Sequence, residues 1–230
     1  LFIFLLGQKT QLAIETSSWC NASCVFCPNK KMKRVKSVMS MKIFQKLVDR
    51  LVEEKVDLAY VNLTGTGEPL MDSSIFDKIK ILKERFPKTM IFMPTNFNLA
   101  DNKMIKKILN SKLDKITISL NANCAKDYKE IMNLDFKKTI GNIEKLIKLK
   151  NRWKSELKIV MTVAGTSVNK KSLHNFVNRW KDRVDEVVIN WVHTWAGAVS
   201  GDVNKRNWRR RYPCKSLFEQ IVVHANGNIA

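Results

Sequence analysis

The stretch at residues 17–31, SSWCNASCVFCPNKK, places three cysteines, Cys20, Cys24 and Cys27, within eight residues. A disulfide framework uses cysteines in pairs, and the chain's total of five is odd. A closed structural zinc site needs four protein ligands, so the fourth would have to come from Cys214 or His193, far along the chain. Thiolates suit zinc and iron–sulfur clusters alike. A cubane cluster bound at three of its irons accounts for the number three directly. Its fourth iron is then open to a small chelating molecule.

Outward from the cysteines, the chain alternates between two patterns. Short β-rich runs occur at 12–16 (LAIET), 58–64, 90–95, 116–120, 157–163 and 187–192. Most are nearly continuous in apolar residues, as strands covered on both faces tend to be. Between them lie helical stripes. Met41, Phe44, Leu47, Val48 and Leu51 follow Ser40, a candidate N-cap. Ile75, Ile79, Leu82 and Phe86 follow the polar cluster at 72–74, and Met104, Ile105, Ile108 and Leu109 follow Asp101. Ile140, Ile143, Leu146 and Ile147 form a fourth stripe, and Leu173, Phe176, Val177 and Trp180 a fifth. The alternation implies right-handed βαβ units on a parallel sheet. Six units are too few to close an eight-stranded barrel, so the expected fold is α/β, an open partial (β/α)6 TIM barrel. Its chemistry belongs at the carboxyl ends of the strands. Residues 17–39 show no convincing element, and a loop this long in a compact domain is functional or disordered. A bound cluster is expected to supply its order.

Composition bounds the rest. The chain has 230 residues, 45% of them hydrophobic, which suffices for a substantial core. No secretory signal precedes the cysteines, so a reduced, cytoplasmic setting is expected. The apolar run LFIFLL at 1–6 is too short to span a bilayer, and no membrane partner is expected. The missing initial Met suggests a segment of a longer reading frame. The net charge of +20 admits an acidic partner, nucleic acid first, with basic runs at 30–36 and 205–211 and Trp208 inside the second. A solvated basic surface in a lysine-biased chain is the favoured reading.

The motif Cys20-x3-Cys24-x2-Cys27, with Phe26 before the last cysteine, resembles the radical SAM superfamily. The resemblance implies a [4Fe–4S] cluster on these cysteines and S-adenosylmethionine chelated to the unique iron. It implies reductive cleavage of that cofactor to a 5′-deoxyadenosyl radical, which abstracts hydrogen from a substrate. Later stretches, each after an expected strand, agree with it. GTGEP at 65–69 is similar to the family's GGEP segment for the methionine ammonium, which implicates Thr66, Gly67, Glu68 and Pro69, with Thr66 replacing the first glycine. Asn96, in the pair Thr95–Asn96, matches a further position beside the cofactor. SLNAN at 119–123 resembles the ribose-binding segment and implicates Ser119 and Asn121. Thr162 and Val163, then Trp191, Val192 and His193, fall where the family lines the adenine and substrate cavity. An electron donor such as flavodoxin or ferredoxin is implied.

The tail around Cys214 resembles the start of a SPASM or twitch extension, which binds auxiliary iron–sulfur clusters. The implied division is a core at 1–195, a linker at 196–213 and the beginning of that module at 214–230. The apolar runs around ANGN, 225–228, read as a hairpin outside the core, with a further cysteine expected near position 232. Cys124 is a candidate hydrogen-atom donor near the mouth, set against an ordinary packed cysteine. The implied activity is modification of a peptide or carbohydrate-type substrate by oxidation, epimerisation or a related oxidoreductase step. The alternatives are an RNA-modifying enzyme of the same superfamily and a non-catalytic zinc-stabilised nucleic-acid-binding module.

Overall fold

Seven strands form one parallel sheet in the computed structural model, which describes residues 9–192, 195, 199 and 219–230. They are β1 (Thr10–Ile14), β2 (Leu58–Asn62), β3 (Met90–Thr95), β4 (Lys115–Ser119), β5 (Lys158–Gly165), β6 (Glu186–Trp191) and β7 (Gln220–Val223). Their order is β6-β5-β4-β3-β2-β1-β7, and every neighbouring pair is parallel. The first six follow sequence order, as successive βαβ crossovers require. β6 and β7 stand at opposite edges, so the sheet is open. The first six strands lie within two residues of the boundaries expected from sequence.

Helices α1 (Met41–Glu53), α2 (Ile75–Arg85), α3 (Asn102–Asn110), α4 (Ala125–Met132), α5 (Phe136–Trp153) and α6 (Leu173–Trp180) lie in the connections. Ser40 caps α1 by accepting from the Ile43 amide, and Asp101 and Asp135 do the same for α3 and α5. None of the described helices is long and apolar enough to cross a membrane.

The strands differ from the expectation of two equally covered faces. Leu12, Ile14, Val61, Ile91, Met93, Ile116, Ile118, Ile159, Met161 and Val163 are buried in the main core. On the alternate positions, Tyr60, Asn62, Phe92, Thr117 and Ser119 are only half-buried. Period-two alternation puts these residues on the other, less evenly covered face of the sheet.

Two further corrections concern elements. α4 has no counterpart among the expected stripes, because its buried Tyr128, Ile131 and Met132 give too short a pattern over eight residues. The tail residues 220–223, read as lying outside the core, form β7 on the free edge of β1, with Val223 and Ala225 buried in the core. A tight turn does follow, as His224 N donates to the Asn228 carbonyl and Val223 bridges Ile229.

Candidate active site

The long loop after β1 is closed at its neck by its own backbone. Ser17 bridges Val38, Met39 N donates to the Thr16 carbonyl, and Ser18 and Ser37 exchange three hydrogen bonds of 2.7–3.0 Å. Inside the neck, residues Pro28–Lys31 form a 3-10 turn. The buried Asn29 amide donates to the Ser18 carbonyl at 2.9 Å and to the Thr66 carbonyl at 2.7 Å. α4 orders the far side. Ser23 N and Val25 N donate to the Met132 and Ile131 carbonyls, which a helix end leaves without intrahelical partners. Protein hydrogen bonds thus tie down a loop whose order the sequence alone did not explain.

Cys20, Cys24 and Cys27 are all partly buried in this loop, and Cys24 and Phe26 pack on the main core. Burial pushes the Cys20 thiol up to about 11, and nearby Glu68 and Cys27 add to the effect. Burial, then the negative charge of Cys27 and Cys20, pushes Cys24 up to about 12. Burial also raises Cys27, against relief from the Asn29 amide and Lys36. Burial thus disfavours the thiolate form at all three positions, and a bound cationic centre would favour it. Among the described residues no three His, Cys, Asp or Glu side chains converge on one ion position. Three thiols on one short loop match the soft-ligand demand of an iron–sulfur cluster. The donor set fits an iron–sulfur cluster.

The segment 65–69 packs directly beneath the loop. Glu68 N donates to the Trp19 carbonyl at 2.8 Å. A Cβ added at Gly67 would lie 2.0 Å from the Ser17 carbonyl oxygen, so only glycine permits this approach. Glu68 is buried and accepts from Thr95 Oγ1 at 2.6 Å, Asn96 N at 2.8 Å and Leu70 N at 3.1 Å. Desolvation, only partly offset by these neutral donors, pushes its carboxyl up to about 7. Pro69 opens the buried 3-10 turn that follows. Asn96 donates to Asn21 Oδ1 at 2.8 Å, with Cys20 Sγ at 3.9 Å.

On the other side of the loop, Phe26, Ser119, Asn121, Thr162 and Val192 line one cavity of about 180 Å³. Ala164, Asn190, Trp191 and Trp195 complete its wall. Ser119 Oγ and Thr162 Oγ1 are 3.2 Å apart across β4 and β5. Asn121, held at a φ of 56°, already accepts from Ala164 N at 2.7 Å and donates to Met132 Sδ at 3.3 Å. It shapes the cavity while its amide is engaged in joining β4, β5 and α4. Trp195 Nε1 donates to the Phe26 carbonyl at 3.0 Å, tying the exit of β6 to the cysteine loop.

Of the remaining sequence candidates, Cys124 is exposed at the head of α4 and is not among the residues of the cavity wall. His193 and Cys214 lie outside the described residues, as does the basic run 205–211 with Trp208. In the run 30–36, Arg34 and Lys36 turn inward, onto Glu15 and Asn29. That arrangement weakens the case for a phosphate-tracking surface there.

The sequence reading missed Asn29, Asn98, Asn142 and Glu15. Asn98 donates to Thr139 Oγ1 at 2.9 Å, and Asn142 donates to the Phe97 and Asn98 carbonyls. These amides hold the β3 exit loop, where buried Phe97 has a φ of 59°. Only Glu15 carried a legible signal, a carboxylate ending an apolar strand, where burial demands a partner.

The sheet, the strand-end loop with three thiols and the adjoining cavity define a cofactor-dependent partial-barrel core. Residues 14–179 match the radical SAM superfamily, and the chain belongs to that superfamily. Its members are enzymes that use a [4Fe–4S] cluster with S-adenosylmethionine, and both cofactors are implied here. The FeMo cofactor biosynthesis protein NifB of Methanocaldococcus jannaschii is 26% identical over 121 residues, 49% of this chain and 40% of that protein. A probable GTP 3′,8-cyclase of Thermococcus kodakarensis is 26% identical over 156 residues, 67% of this chain and 48% of that protein. The chain thus spans about half the length, or less, of these relatives. Streptococcus suis SuiB bound to S-adenosylmethionine has the same fold, with a TM-score of 0.76 at 16% identity, over 96% of this chain and 60% of that one.

Proposed function

We propose that this chain is the catalytic core of a radical SAM enzyme that abstracts hydrogen from a peptide or carbohydrate-type substrate. The observation that carries the reading is the meeting of the cysteine loop, through Phe26, with a cavity that also presents Ser119, Asn121 and Thr162. Cys20, Cys24 and Cys27 would hold the cluster. The segment 66–69 and Asn96 would receive the methionyl end of the cofactor, and Ser119, Asn121, Thr162, Val192 and His193 its adenosine end and the substrate side. When bound, the cluster and cofactor supply a one-electron cleavage that yields a hydrogen-abstracting radical.

The protein's own residues position, enclose and desolvate. Glu68 fixes the exits of β2 and β3 against each other, and Phe26 and Trp195 form part of the cavity wall. Substrate class has separate support. SuiB has been solved with its precursor peptide, which makes a peptide the first substrate to test. The names of NifB and the GTP cyclase point to other chemistries within the superfamily. Residues 214–230 are read as the start of an auxiliary-cluster module, entered through β7. The setting is cytoplasmic, with flavodoxin or ferredoxin as electron donor, and Cys124 remains a candidate donor to a substrate radical.

The test is anaerobic reconstitution with iron and sulfide, then reduction in the presence of S-adenosylmethionine. Formation of 5′-deoxyadenosine is expected, and its absence from cluster-loaded protein would sink the reading.

A further inference from the structure

Glu15, at the carboxyl end of β1, is a fully buried carboxylate that touches three separate parts of the chain. From the cysteine loop, Arg34 Nη2 lies 2.5 Å from its Oε1. From the segment after β2, Thr66 donates to the same oxygen with its amide at 3.1 Å and its hydroxyl at 2.8 Å. From the turn after β7, Ala225 N donates to Oε2 at 3.1 Å, with His224 Nδ1 3.7 Å away. Packing is as close as the hydrogen bonding. A Cβ at Gly65 would lie 2.7 Å from the Glu15 Cβ. Arg34 Nη2 also reaches Thr66 Oγ1 at 3.3 Å, closing a triangle of Glu15, Arg34 and Thr66.

Thr66 is the position where the chain departs from the family's GGEP segment. Its hydroxyl is engaged on Glu15, so the departure supplies an additional link to that carboxylate. The same carboxylate holds the tail segment against β1, beside the backbone bond from Glu15 N to the Val223 carbonyl.

We propose that Glu15 is a positioning residue that couples the docked 219–230 segment to the segment 66–69 and the cysteine loop. Cofactor affinity then depends on the tail being seated on β1, so that whatever follows β7 in a longer protein can tune the site through this carboxylate. The inference rests on the reading of 66–69 as the segment that receives the cofactor's methionyl end.

The test uses Glu15→Gln, Arg34→Gln and Thr66→Val in the full chain. Reconstituted Glu15→Gln should keep its iron and sulfide content and visible spectrum. Its dissociation constant for S-adenosylmethionine, measured anaerobically by calorimetry, should rise about tenfold or more, while the rate at saturating cofactor changes little. The second readout is hydrogen exchange of the cluster-free chain. Arg34→Gln does not touch Ala225, yet it should speed exchange at 224–228 together with 64–68. The double variant Glu15→Gln/Arg34→Gln should lose no more affinity than the worse single one.

Unchanged affinity in cluster-loaded Glu15→Gln overturns the proposal. So does an Arg34→Gln effect confined to the loop around residue 34. If the wild-type reconstituted protein fails to bind S-adenosylmethionine, the reading of 66–69 falls, and the exchange experiment alone decides the coupling. Should Glu15→Gln not fold, Thr66→Val replaces it. Faster hydrogen exchange at 224–228 in that variant supports the coupling, and unchanged exchange there overturns it.

Discussion

The two sides of the cysteine loop use their polar groups in opposite ways. On the β1–β3 side, Glu15, Thr66, Glu68 and Asn96 direct their hydrogen bonds into the protein itself. On the β4–β6 side, Ser119, Thr162 and Asn190 face an open cavity, and the first two hydroxyls have little beyond each other. The first side is a frame whose atoms are already positioned; the second is a surface able to take a guest. Pre-organisation on one side and receptivity on the other is what a site needs to hold a flexible cofactor by both ends.

Removing the element shared by both sides should have the largest effect. Cys24→Ala takes away the most strongly shifted thiol. Cluster loading should collapse, with 5′-deoxyadenosine formation at background, as read by iron and sulfide analysis and chromatography. Comparable loading in this variant would mean that the loop does not hold the cluster.

On the frame side, Gly67→Ala drives a methyl into the Ser17 carbonyl. Backbone against backbone cannot yield cheaply, so a loss of roughly 3 kcal/mol or more in urea unfolding is expected. A loss below about 1 kcal/mol would show that the loop adapts, and that the frame is softer than its hydrogen bonds suggest.

The frame's two buried carboxylates should also respond to pH with opposite signs. Burial pushes Glu68 up to about 7 because only neutral donors face it. Between its unfolded value of 4.5 and about 7 the folded cluster-free protein therefore holds the extra proton, and stability falls as pH rises through that window. For Glu15, burial works upward as well. The guanidinium of Arg34, with the donors on Ala225 and Thr66, outweighs it and holds the carboxyl below its ordinary value. Its contribution is complete above the unfolded value of 4.5 and is lost as pH falls through the lower folded one. Urea unfolding across pH 3–8 should show Glu68→Gln removing the descending limb toward neutrality. Glu15→Gln should remove part of the acid limb. An identical response from both variants would erase the distinction between them.

On the receptive side, Thr162→Val keeps the shape and removes the hydroxyl. Stability should change by less than about 1 kcal/mol, while affinity for S-adenosylmethionine falls by roughly threefold to tenfold. A large stability loss instead would make this side part of the frame. The smallest effect belongs to Gly141→Ala on α5, where an added Cβ meets nothing within 4 Å. A gain of about 0.5–1 kcal/mol is expected from helix propensity, with cofactor binding unchanged.

The same contrast explains which residues were legible in the chain before it was folded. The three thiols, the glycine turn at 65–69 and the polar residues of 119–123 recur at the ends of apolar runs, and such spacing survives in one dimension. Asn98, Asn142 and Asn29 are ordinary asparagines until three segments meet around them. α4 was too short for its periodicity to stand out. The place of β7 in the main sheet could not be read, because a run as short as 220–223 joins a sheet only when β1 offers it an edge.

Local chemistry by itself determined the alternation of strands and helices, since period and capping are properties of neighbouring residues. It also determined the crowding of three thiols into one loop after the first strand, which is the basis of the proposed ligand set. Only the tertiary structure decided how Glu15 and Glu68 would titrate, because a carboxylate's state depends on what burial brings beside it. The close approach of Gly67 to Ser17, the order of the loop from α4's free carbonyls and the seating of the tail on β1 were settled in the same way. Each joins residues far apart in the chain, and those contacts exist only once the sheet has assembled.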